Sequence, residues 1–267
     1  MLIKIVKFCV KIKDIFIEGG NVMKVTILGY FGGYPSKSVG TTGYLVQSGD
    51  FNLLLDAGSS TLLELEKNLD PLELDAVLLT HYHHDHMADV GTLQYLWQLN
   101  TKKKVEKLPI YGHTEDPLNF GALTWPNASQ GYAYGENDEL DLGPFKITFK
   151  KTIHPVPAFA TRIEEKETGK VFTFTSDTRF FDELIDFATN SSLLITDTNY
   201  FSDQAGIKWH LTTKETAELF DRSKSTKMVI SHLSPKLDLD AVLAETQQFS
   251  SNPKAISLPE IGKIIEL

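Results

Sequence analysis

Four of the eight histidines of this 267-residue chain fall within six residues, His81-Tyr82-His83-His84-Asp85-His86. Imidazoles at the first and third positions of an extended segment project from the same side, so His81 and His83 can share one cation. Asp85 and His86 then fall on a turn into the next helix and can face a second cation. Mixed imidazole and carboxylate ligation suits zinc, with manganese or iron as competitors. The plain alternative is a polar loop with incidental histidines, and it does not account for this density.

The cluster needs elements that hold it. The run 75–80 (DAVLLT) is short and apolar, the pattern of a buried strand, and it delivers the histidines to a loop at the strand's C-terminal end. Strands are also expected at 24–29, 43–48, 51–56, 108–111, 145–152, 158–163, 171–175, 193–196 and 228–230. Helices are expected after Ser59 or Ser60, through Leu93, Leu96 and Trp97, over 212–221 and over 238–248, the last two opening on Thr212 and Asp238 caps. Strands and helices mixed without strict alternation point to layers of sheet and helix, not to a doubly wound sheet.

The motif HYHHDH after an apolar strand resembles the HxHxDH signature of the metallo-β-lactamase fold hydrolases, and the match runs from Met23 to Leu267. The glycine-rich stretch 28–33 (LGYFGG) resembles the loop after that family's first strand, and the pattern is closest to the ribonuclease-Z-like branch. The resemblance implies an α/β fold, a four-layer αββα sandwich with two zinc ions at the sheet edges. It assigns one ion to His81, His83 and His154, the other to Asp85, His86 and His232, and a bridging role to Asp177. His154 lies in TIHPVP, Asp177 in TSDT, where many relatives have glycine in place of Ser176, and His232 in SHLSP. Two cations roughly 3.5–4 Å apart can activate a bridging water and clamp both ends of an in-line phosphoryl displacement. Asp85 can orient the attacking hydroxide and take its proton.

The resemblance also implies roles for two residues outside the ligand set. His210, in KWHLT, matches an element that supplies a general acid to the leaving oxygen; a histidine at a helix start is otherwise a local cap or surface residue. Asp56, in LDAG, matches a carboxylate that braces a metal-binding histidine; a lone carboxylate at a strand end otherwise caps a turn. His84 occupies a variable position facing solvent or a neighbouring side chain, and His113, after a strand, reads as a plain loop residue, with a place lining the cleft as the alternative.

Composition narrows the substrate. There are 26 Lys and Arg against 35 Asp and Glu, a formal charge of −9, and no apolar run approaches the roughly 20 residues that span a bilayer. One cysteine, Cys9, builds no internal disulfide framework, so a cytoplasmic location without membrane attachment is expected. Residues 1–22 differ from the rest, with four lysines against two acids and no signal-peptide core. They are expected to be an extension outside the hydrolase domain at 23–267, with natural translation starting at Met23. The domain then carries −11, a poor field for a polyanion. Ribonuclease Z grips tRNA with a basic, glycine-rich arm between the third histidine and the bridging aspartate, whereas here only 22 residues separate His154 from Asp177.

The leading expectation is therefore a di-zinc phosphodiesterase acting on a small phosphodiester or nucleotide-like substrate. A tRNA 3′-processing endoribonuclease is the alternative, with RNA disfavoured as a partner, and a non-catalytic metal-binding module is the second alternative. A β-lactamase or thioesterase would use the same ions, but His210 suits a poor alkoxide leaving group. The aromatic stretch within 121–136 is expected to be a lid over a base or sugar, or a loop packed on the body. By analogy with relatives the chain is a candidate homodimer.

Overall fold

The computed structural model describes residues 22–267. The expectations for residues 1–21 lie outside the described residues. In chain order the strands are β1 (Lys24–Gly29), β2 (Gly43–Ser48), β3 (Phe51–Leu55), β4 (Ala76–Leu78), β5 (Leu108–His113), β6 (Ser129–Tyr134), β7 (Glu139–Leu142) and β8 (Phe145–Lys151), followed by β9 (Phe159–Glu165), β10 (Val171–Phe174), β11 (Leu193–Tyr200), β12 (Leu211–Thr212), β13 (Met228–Ser231), β14 (Ile256–Ser257) and β15 (Ile264–Glu266). They form one sheet in the order β15-β1-β2-β3-β4-β5-β6 and a second in the order β14-β13-β11-β10-β9-β8-β7, with β12 attached to β11. The helices are α1 (Thr61–Asn68), α2 (His84–Met87), α3 (Val90–Leu99), α4 (Pro117–Ala122), α5 (Glu183–Phe187), α6 (Thr213–Ser223) and α7 (Leu239–Phe249).

Side-chain alternation along the strands explains the layers. On β2 to β4, Tyr44, Val46, Leu53, Leu55, Ala76 and Leu78 face the second sheet, meeting Phe145, Ile147, Phe172, Phe174 and Ile195. Their neighbours Leu45, Leu54 and Val77 point the other way, against Leu65 of α1 and Leu93 and Trp97 of α3. The second sheet repeats the scheme, with Leu194, Met228 and Ile230 packing against Leu184 of α5, Leu219 and Phe220 of α6 and Val242 of α7. Three apolar interfaces separate four layers, the expected αββα sandwich. Strands buried on both faces read as continuous apolar runs for this reason.

Three local expectations are corrected. The stretch expected as a lid or as a loop packed on the body instead holds β6, which pairs in parallel with β5 from Leu108↔Ser129 to His113↔Tyr134. Tyr134 is buried and stacks on Phe149 of the opposite sheet at 3.9 Å, so this aromatic belongs to the core. Ser60 does occupy the N-cap position of α1, but in a left-handed conformation and without a side-chain cap bond. The Asp89 carboxylate accepts from the Leu62 N–H instead, at 2.8 Å. His210 does not open α6 directly: β12 intervenes, and its pairing Thr198↔Leu211 draws His210 alongside β11. The Thr212 cap is present as a complete capping box with Glu215, and Asp238 caps α7. No helix among the described residues is long and apolar enough to cross a membrane.

Candidate metal centre

Strand ends from both sheets converge on one edge. β3 and β4 run parallel to each other, as do β10, β11 and β13. The residues that follow β3, β4, β8, β10 and β13, together with the end of β11, bring Asp56, the histidine segment, His154, Asp177, Asp197 and His232 to the same place. β11 shows how the sequence does this. Its odd residues Leu193 and Ile195 belong to the inter-sheet core. The same face continues as Asp197 and Asn199 where the strand emerges at the site. Three residues at such ends, Asp56, Ser176 and His232, have φ of 56°, 52° and 51°. The left-handed region costs a non-glycine residue roughly 1–3 kcal/mol.

Two clusters share one carboxylate. In the first, His81 Nε2 lies 3.2 Å from His83 Nδ1, which lies 3.2 Å from His154 Nε2. Asp177 Oδ2 faces this cluster, 3.7 Å from His81 Nε2 and 3.8 Å from His154 Nε2. In the second, Asp85 Oδ2 lies 3.1 Å from His232 Nε2, and Asp177 Oδ1 lies 3.2 Å from His86 Nε2 and 3.3 Å from His232 Nε2. One oxygen of Asp177 thus serves each cluster. Within each group, the candidate donor atoms lie no more than 4.8 Å apart.

Hydrogen bonds behind the rings assign the tautomers. The Thr80 hydroxyl donates to Asp56 Oδ2 at 2.8 Å, so at 3.1 Å it accepts from His81 Nδ1–H. His86 Nδ1–H donates to Asp56 Oδ2 at 2.8 Å, His154 Nδ1–H to the Trp209 carbonyl at 3.3 Å and His232 Nδ1–H to Asp197 Oδ1 at 3.2 Å. Each of these four rings therefore turns its Nε2 towards the centre. His86 Nε2 and Asp177 Oδ1 are buried and make no hydrogen bond of acceptable geometry. Converging lone pairs and carboxylate oxygens with unsatisfied buried atoms fit divalent cations.

In the first cluster the electrostatics match neutral ring nitrogens. Burial lowers the pKa of His81, His83 and His154, so these imidazoles are neutral donors. In the second cluster burial opposes charge on His86 and His232, but carboxylates prevail. Asp177 and Asp56 push His86 up to about 10, and Asp177 and Asp197 raise His232. Burial likewise opposes ionisation of Asp85 and Asp177, yet the adjacent histidines hold both well below the usual carboxylate range. Asp85 is further fixed by the Gly33 N–H, which donates to Oδ2 at 2.6 Å.

His210 stands beside the clusters with Nδ1 2.7 Å from Asp197 Oδ2 and 4.0 Å from Asp177 Oδ2. Burial disfavours its charged form, but Asp197 and then Asp177 outweigh that and raise its pKa. With Tyr34, Ser234, Pro235 and Lys236 it lines a cleft of about 330 Å³ over the donor atoms. Asp56 is completely buried and accepts from the Thr80 N–H at 2.7 Å in addition to the Thr80 hydroxyl and His86. His84 is exposed and outside the clusters. His113 ends β5 in the interior, its ring 4.4 Å from that of Tyr82 and tilted by 39°, so it is neither a loop residue nor part of the cleft.

Sequence reasoning missed Asp197 and Asn199. Asp197 holds both His210 and His232 and accepts from the Thr178 N–H at 3.1 Å. Only the likeness of LLITD at 193–197 to LLLD at 53–56, each a largely apolar run closed by an aspartate, hints at Asp197, and no spacing marks it.

The sequence profile of the Metallo-beta-lactamase superfamily matches residues 39–224. The chain is 41% identical over 214 residues to the probable metallo-hydrolase YhfI of Bacillus subtilis, covering 79% of this chain and 87% of that protein. The crystal structure of YhfI superposes with a TM-score of 0.87 at 36% identity, covering 92% of this chain and all of the other. Ribonuclease Z of Thermoplasma acidophilum is 23% identical over 278 residues, covering 84% and 90%. The short form of human tRNase Z shares the fold with a TM-score of 0.69 at 20% identity, covering 91% and 98%. The geometry of the donor clusters, the profile match and the similarity to YhfI converge: this chain belongs to the metallo-β-lactamase superfamily.

Proposed function

We propose that the protein is a di-zinc hydrolase that cleaves a small phosphodiester. The observation that carries this reading is the division of Asp177, one carboxylate oxygen towards each donor cluster, with His210 held beside both on Asp197. His81, His83 and His154 would hold one ion, Asp85, His86 and His232 the other, and Asp177 both. Two divalent ions there would supply Lewis acidity and activate water at neutral pH.

The remaining roles belong to the chain. Asp85, pinned by the Gly33 N–H, is placed to orient the attacking water and accept its proton. His210 has its Nδ1–H engaged by Asp197, which stabilises the imidazolium and leaves Nε2–H to protonate the departing oxygen. Asp56 and Asp197, both completely buried, orient His86 and His232 through their Nδ1 atoms. Manganese or iron would fit the same donor chemistry.

The substrate class follows from size and charge. The 22 residues between His154 and Asp177 are taken up by β9, β10 and their turn, which favours a small substrate over one needing an arm. The cleft of about 330 Å³ fits a nucleotide-sized fragment. Similarity to ribonuclease Z proteins favours RNA processing as the second reading. Zinc-loaded protein assayed against cyclic nucleotides, short RNAs and precursor tRNA separates the two. Turnover of the small diesters is expected, whereas cleavage of precursor tRNA alone would replace this reading with the second.

A further inference from the structure

We infer that Asn199 is a positioning residue that locks the backbone of His232, and that it thereby governs the affinity of the second ion site selectively. This inference rests on the two-ion reading above. His232 follows β13 in the left-handed conformation, which places its imidazole at the centre but is unfavourable for any residue with a side chain. Something must hold it there.

The contacts come from two directions. Asp197 and Asn199 emerge from the same face of β11, two residues apart. Asp197 takes the ring through Nδ1, while the Asn199 side-chain amide donates to the His232 carbonyl at 2.8 Å. Ring and main chain are thus held by one strand. From the other side, the Leu233 N–H donates to the Tyr30 carbonyl and the Gly32 N–H to the Leu233 carbonyl, each at 3.0 Å. These bonds hold the glycine-rich loop against the residue that follows His232. A Cβ on Gly32 would stand 2.6 Å from His232 Cε1, 2.7 Å from Nδ1 and 3.0 Å from Asn199 Nδ2. None of these contacts reaches His81, His83 or His154.

Removal of the amide frees the carbonyl that anchors the strained residue. His232 can then relax towards an ordinary conformation and withdraw its Nε2, while the three-histidine cluster stays intact. Metal-free Asn199→Ala protein, titrated with Zn²⁺ against a competing chelator, reads this directly. One zinc equivalent should bind as in the wild type and the other about 10–100-fold more weakly, the range for lost partners of metal ligands. Gly32→Ala, whose Cβ presses on the same imidazole and on the Asn199 amide, should give the same split. Unchanged affinity for both equivalents in Asn199→Ala, whatever Gly32→Ala does, or equal weakening of both, would overturn the inference. A wild-type protein that takes up a single equivalent would overturn the two-ion reading, and this inference with it.

Discussion

At the residue scale the centre is a set of hydrogen-bonded pairs, each holding one donor in one tautomer. His210 and Asp197 form the pair with the most direct chemical consequence. A general acid matters in proportion to how badly the leaving oxygen needs a proton. His210→Ala should therefore slow diesters with alkoxide leaving groups about 10²–10⁴-fold, but p-nitrophenyl esters far less, with zinc content unchanged. Equal slowing of both ester classes in steady-state assays would remove the acid role. The histidine segment was legible because four imidazoles in six residues have one economical explanation. Asp197 and Asn199 were not, because single polar residues at the end of an apolar strand carry no spacing signal. Their importance appears only when β11 is laid beside β13.

Elements set the positions of these residues, and the strand carrying the histidine segment shows how. Tyr134 of β6 sends its hydroxyl to the carbonyls of Leu79 and Thr80, at 2.6 and 3.3 Å, immediately before His81. Tyr134→Phe leaves the ring stacked on Phe149 but deprives a buried carbonyl of its donor. A loss of about 1–2 kcal/mol is expected in denaturant titration. A Tyr134 on a solvent-exposed lid would show no change. Most strands were legible as apolar runs, since burial on both faces suppresses alternation. β6 was missed because SQGYAY at 129–134 mixes glycine and polar residues with its aromatics, and it is an edge strand whose partner, β5, lies outside the segment. β12, β14 and β15, two or three residues each, are too short to carry any period.

At the scale of the whole molecule, four layers bring strand ends from two sheets to a common edge, and the centre needs both. His81, His83, Asp85 and His86 come from the first sheet; His154, Asp177 and His232 come from the second. Sequence alone gave the layer order only through its resemblance to a family, because which sheet each strand joins depends on contacts between distant segments. The overall acidity bears on substrate, since the site opens on a protein with little positive field to draw in a long polyanion. The central claim, that two ions held across the sheets by Asp177 drive phosphodiester hydrolysis, has a direct measurement. Metal-free protein is titrated with Zn²⁺ while turnover of bis-p-nitrophenyl phosphate is followed at each equivalent. Activity should stay low through the first equivalent, climb through the second and level off at two. Two ions bound without turnover, or full activity reached with one, would contradict it.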